Sequence, residues 1–226
     1  MIEVVTGIPG SGKSLWTADK ILFLLRRNLR WWKKTGQVRY VYSNIKLSEK
    51  VENEYGNLLQ YWDSPDQLVR LRDVDIVWDE IATHLDATQW MNLSLEVKRF
   101  LQQHRKRGID IYGNTQEFVM IDVAMRRLTQ KVYYLNKLFG SRDPSPTRPP
   151  VKRIWGLIWI RQVDPLTFDD EGKRKYIGND FFWIRRKHIE VFDTRQEIKR
   201  GQYPPLKHIV QICEDPDCEY HRVVHR

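Results

Sequence analysis

The sequence predicts an α/β fold with a mostly parallel central sheet flanked by helices, on three observations. A β-branched run over residues 2–6 passes through a glycine-rich loop into apolar residues at helical spacing over Leu15 to Arg30. A second apolar run, Val74 to Trp78, stops at the acidic pair Asp79-Glu80. A third, Ile109 to Gln116, ends in polar amides. Short, continuous and β-branched runs of this kind are what a strand buried on both faces requires.

The loop comes first in the chain and carries the sharpest chemistry. Gly7, Ile8, Pro9, Gly10, Ser11, Gly12, Lys13 and Ser14 keep the spacing G-x-x-x-x-G-K-S between a strand and a helix. Glycines let the backbone wrap close enough for its N–H groups to face phosphate oxygens, and the helix start adds a positive dipole end. In that arrangement Lys13 reaches the terminal phosphates and the Ser14 hydroxyl binds Mg²⁺. The expected fold is therefore a P-loop NTPase, with ATP and Mg²⁺ as ligands.

A phosphate loop needs a carboxylate on the metal side. Asp79, at the end of its strand, is the candidate to hold Mg²⁺, and Glu80 to polarise the attacking water. Gln116 ends the next strand over the same crevice and is the candidate γ-phosphate sensor. Arg126 and Arg127, on an expected helix within residues 121–130, are candidates for an arginine finger delivered to a neighbouring subunit. Their alternative is a solvated basic face.

The chain has 226 residues, with 38 Lys and Arg against 29 Asp and Glu, a net charge of +9 that favours polyanionic partners. Two cysteines exclude a disulfide-stapled scaffold. No apolar run approaches the ~20 residues of a membrane span, and the first residues lack a signal-peptide pattern. A soluble intracellular protein is expected. Arg26 to Lys34, with Trp31 and Trp32, and the segment with Lys98, Arg99, Arg105, Lys106 and Arg107 are candidate DNA contacts.

Residues 1–140 are read as the ATPase core and Ser141 to Pro150, with four prolines, as a linker. Residues 151–226 form a small basic β-rich C-terminal appendage, with strands within 154–163 and 181–191 and a hairpin tip at 169–173. At its end Cys213, Cys218, His221 and His225 make a candidate Zn²⁺ set. Free thiols in a flexible tail are the alternative.

The order GIPGSGKS, VYSNI (41–45), IVWDE (76–80), QQHRKRGIDIYGNTQ (102–116) and HIEVFDT (188–194) resembles the zonula occludens toxin-like ATPases. That family includes the filamentous-phage morphogenesis proteins and stands near the HerA/FtsK motors. The resemblance covers roughly residues 1–196 and is most specific in HRKRGIDIYGNTQ. It implies Mg²⁺-dependent ATP hydrolysis in a homo-oligomeric ring, expected to be a hexamer, that moves viral DNA without reading its sequence during virion assembly. It also carries Lys13, Ser14, Asp79, Glu80 and Gln116 into their family roles, in the host cytoplasm or with the virion. Filamentous-phage members continue into a membrane-spanning helix, which this sequence lacks. Packaging at a capsid vertex therefore stands beside extrusion through a membrane partner, with a toxin-like nucleotide switch as a further alternative.

Overall fold

The computed structural model describes residues 1–140, 156–167 and 174–191. Its elements run β1 (Ile2–Thr6), α1 (Lys13–Thr35), β2 (Val41–Ser43), α2 (Glu49–Tyr55), β3 (Leu59–Tyr61) and β4 (Asp75–Trp78). The short helices α3 (Ala82–Leu85) and α4 (Ala87–Asn92) follow, then α5 (Leu95–Gln103), β5 (Asp110–Thr115) and α6 (Val123–Leu128). The chain closes with β6 (Lys131–Gly140), β7 (Gly156–Val163), β8 (Tyr176–Ile184) and α7 (Arg186–Ile189).

The eight strands of the described residues join one sheet in the order β3-β2-β4-β5-β1-β6-β7-β8. The first six are parallel, whereas β7 and β8 run antiparallel. The strands of the β-rich C-terminal region thus extend the central sheet through β6. The proline-rich segment, the 169–173 tip and the Cys/His set lie outside the described residues.

Two helical layers cover the parallel part, as continuous apolar strands demand. On one face Ala18, Ile21, Leu22, Leu24 and Leu25 of α1 pack with Val41, Val77 and Tyr112 of the sheet and with α2. Their spacing puts them on one side of the helix. Gly36, at φ 73°, ends α1 in the left-handed conformation, its N–H donating to Trp32 O at 2.8 Å. On the other face Val97, Phe100 and Leu101 of α5 and Met125 of α6 pack on Val4, Ile76, Trp78 and Ile111.

The predicted strand over 181–191 ends early. β8 stops at Ile184 and the chain turns into α7. There His188 lies with Nε2 3.0 Å from Asp19 Oδ1 of α1, and the next residues bring Val191 into the core beside α1 and α2. Tertiary docking overrides the local alternation. Among the described residues no helix is long and apolar enough to cross a membrane.

Candidate active site

β1 delivers the chain to the carboxyl edge of the sheet, where open α/β folds bind ligands. The hinge is tied down before the loop begins. Thr6 Oγ1 and Gly7 N both donate to Gln116 O, at 3.0 and 3.2 Å, so the end of β5 anchors the end of β1. Ser11 N then donates to Ile8 O at 3.1 Å, closing a tight turn.

Gly12 precedes α1 at φ 95°, and a Cβ there would stand 2.2 Å from Ile158 Cδ1 of β7. Only glycine meets both conditions. The antiparallel end of the sheet is therefore the backing of the phosphate loop.

The first turn of α1 has no side-chain cap and no acidic residue, which leaves its N–H groups to an anion. Ser11 is buried, and its Oγ has no hydrogen-bond partner. An orphaned buried hydroxyl inside a ring of backbone donors fits a phosphate. Lys13 Nζ lies in the curve of the loop, donating to Gly7 O at 2.7 Å and Ile8 O at 3.3 Å. Burial pushes its pKa down, and the charges of Glu80 and Asp79 oppose that shift. Ser14 is exposed on the first turn.

Asp79 and Glu80 follow β4, two strands from β1 with β5 between. Two asparagines at strand ends hold this acidic turn. Asn44, after β2, accepts from Asp79 N at 2.6 Å and donates to Asp79 O at 2.9 Å. Asn114, on β5, accepts from Glu80 N at 2.9 Å. Its Nδ2 donates to Asp79 Oδ1 at 2.5 Å and to Thr17 Oγ1 of α1 at 3.0 Å. One amide thus joins both acidic residues to the phosphate-loop helix.

Glu80 sits at φ 47°, a left-handed conformation that costs a non-glycine residue about 1–2 kcal/mol. Its carboxylate meets backbone hydrogen bonding from Gln116 at the end of β5. Burial pushes the Asp79 carboxyl above the usual range, against the Asn114 hydrogen bond and the Lys13 charge. Burial and the Asp79 charge do the same for Glu80. A hydroxyl and carboxylates are hard oxygen donors, the set that suits Mg²⁺.

The structure brings Lys13, Ser14, Asp79, Glu80 and Gln116 to one edge of the sheet. It takes the arginines elsewhere. From the Gln116 end of β5 the chain returns through α6 to Gln130, whose N–H donates to Ile2 O at 2.9 Å. Arg126 and Arg127, in the last turn of α6, therefore stand toward the opposite edge. So do Arg105 and Lys106, which precede β5 and are about 20 Å from Gln116 along that six-residue strand.

Asn44 and Asn114 lie inside the segments VYSNI and IDIYGNTQ but carry no local mark of this role. The available signal was an amide at the carboxyl end of a strand, next to a residue already expected in the crevice.

No protein-family model matches the chain, and none of the curated proteins is similar to it. Among solved structures it is similar to the N-terminal domain of zonular occludens toxin from Neisseria meningitidis. That likeness has 20% identity and a TM-score of 0.48, over 85% of this chain and 98% of that one. It is also similar to the genome-packaging NTPase B204 of Sulfolobus turreted icosahedral virus 2, solved with ATP-γS. There the identity is 13% and the TM-score 0.41, over 78% of this chain and 96% of that one. The chain's own strand order, its glycine loop leading into an uncapped helix and its acidic turn two strands away make it an α/β protein of P-loop NTPase architecture.

Proposed function

We propose that this chain is a Mg²⁺-dependent ATPase that moves viral DNA during virion assembly, acting as a homo-oligomeric ring. The observation that carries the ATPase reading is the uncapped start of α1 behind Gly7–Gly12, with Asp79 and Glu80 on the same edge of the sheet. The loop N–H groups and Lys13 hold the β- and γ-phosphates, and Ser14 and Asp79 would hold the metal, which would supply charge neutralisation for phosphoryl transfer. Glu80 orients and deprotonates the attacking water; a carboxyl pushed upward is a stronger base than an exposed one. Gln116 is exposed at the end of β5 and senses the γ-phosphate.

The motor part rests on the motif order, on the net charge of +9 and on the need of a translocating protein for phosphate contacts that ignore sequence. Arg126 or Arg127 reaches the nucleotide of a neighbouring subunit, as a ring permits. A capsid vertex or membrane protein anchors the ring, with the host cytoplasm as its place of work.

Glu80→Gln should keep ATP binding and lose about 10²–10⁴-fold in hydrolysis, whereas Lys13→Ala should lose binding as well. Steady-state turnover and equilibrium binding of a fluorescent ATP analogue measure the two. Normal turnover in Glu80→Gln would move the base elsewhere. Turnover that ignores added DNA would replace the motor with a nucleotide switch.

A further inference from the structure

Among the described residues, the antiparallel end of the sheet has one covered face and one open face. Leu135, Ile158, Ile160 and Ile184 pack beneath Leu15 and Trp16 of α1. On the other face, among the described residues, the helical layer reaches Val132 and Val163, with Tyr134 at its margin, and goes no further. Beyond it Phe139, Tyr176, Phe181 and Trp183 are 45, 44, 56 and 53% exposed.

Cross-strand register puts these rings side by side. Trp159 is opposite Phe181 and Leu157 opposite Trp183, while Phe139 is opposite Leu157. Phe139 and Trp183 meet edge to face at 6.2 Å. Arg161 lies among the rings of Tyr134, Trp159 and Tyr176, at 5.2, 4.7 and 4.6 Å from their centroids. Its Nε is buried without a hydrogen-bond partner. The other polar groups in register on this face are amides, with Trp159 Nε1 donating to Asn179 Oδ1 at 3.2 Å. None of the residues paired on it is a carboxylate.

We propose that this face of β6, β7 and β8 is a stacking platform for single-stranded nucleic acid. Flat rings held by their neighbours offer π-surfaces to any base, and a guanidinium among them adds cation–π attraction and a phosphate partner. Residues two apart on a strand stand about 7 Å from one another. That spacing gives successive rings separate bases of an extended strand, whereas a duplex keeps its bases 3.4 Å apart and stacked on each other. Charge favours the same occupant. A second copy applied face to face would oppose Arg161 to Arg161 with no carboxylate between them. The platform is independent of ATP turnover and serves a motor or a switch alike.

The test is equilibrium binding of fluorescent oligothymidylate, and of a duplex of equal length, to the full chain without nucleotide. Single strand should bind more tightly than duplex. Phe181→Leu and Trp183→Leu keep apolar bulk but remove a ring, and each should weaken oligothymidylate binding about tenfold. Phe181→Tyr should retain it, and all three should bind the ATP analogue as the parent does. Unchanged oligothymidylate affinity in both leucine variants would overturn the proposal. So would a fall in sedimenting mass with single-strand binding intact, which would assign the face to a second copy.

Discussion

β4 carries an aspartate at each end, and the two have opposite surroundings. Asp75, at the entry, is fully buried yet has three partners: Arg27 at 2.5 Å, Asn28 at 2.8 Å and Arg39 at 2.9 Å. Arg39 also reaches Asp110 at 3.1 Å, and Asp110 takes the amino group of Met1 at 2.7 Å. Asp79, at the exit, accepts from the Asn114 amide and keeps a carboxyl pushed upward by burial. One edge of the sheet thus closes its charges on each other, and the other holds a carboxylate with capacity to spare. Burial without full compensation makes the exit edge the candidate site.

Removing Asp75 should have the largest effect on stability. Asp75→Ala leaves Arg27 and Arg39 facing a hole, and breaking such a buried set costs about 3 kcal/mol or more. Urea denaturation reads the loss. If the two edges are distinct, ATP-analogue affinity in the folded fraction should hardly move; a parallel loss would break the distinction.

Asp79→Asn should do the reverse, raising stability while ending Mg²⁺-dependent turnover. A native pKa above the unfolded value means that the ionised group costs stability at neutral pH, and that the cost disappears as pH falls through the native pKa. The gain at pH 7 should be about 1 kcal/mol, or about 2–4 °C in melting temperature for a chain of this size. It should shrink in acid. A destabilised Asp79→Asn would mean that the Asn114 bond outweighs burial.

Asp19 gives the intermediate case and the smallest effect. It is 39% exposed, and its contact with His188, aided by Lys187, holds its carboxyl below the usual carboxylate range. The sign is opposite to that of Asp79: the contribution is complete above the unfolded value and lost as pH falls through the lowered native one. Asp19→Asn should cost under about 1 kcal/mol at pH 7, and the difference between parent and variant should close in strong acid. Melting curves across that range measure it. A cost as large as that of Asp75→Ala would mean that α7 docking carries far more than one half-exposed pair.

Local chemistry made much of the carboxyl edge legible. The 7–14 loop needs glycines at positive φ and a lysine one residue past the last of them, and both requirements are written consecutively. The apolar run before Asp79-Glu80 is fully buried in β4, as a strand covered on both faces must be. The opposite edge, around Asp75, offers no such pattern. Arg27 and Arg39 stand 48 and 36 residues from Asp75, and nothing local separates them from other surface arginines. Asn114 was hidden for the same reason, since its three contacts lie 34, 35 and 97 residues away.

By itself the sequence determined that a strand, a phosphate loop and a helix open the chain, because backbone conformation and helix-end electrostatics depend on neighbours within a few residues. It also determined an apolar strand ending in paired carboxylates. Tertiary structure decided which strand stands beside which: that β5 lies between β1 and β4, so that Asn114 ties both carboxylate residues to α1. It decided too that β7 backs Gly12 and turns an aromatic face outward. Alternation along a strand says that one face is buried, and only the partner strands and helices decide which face that is.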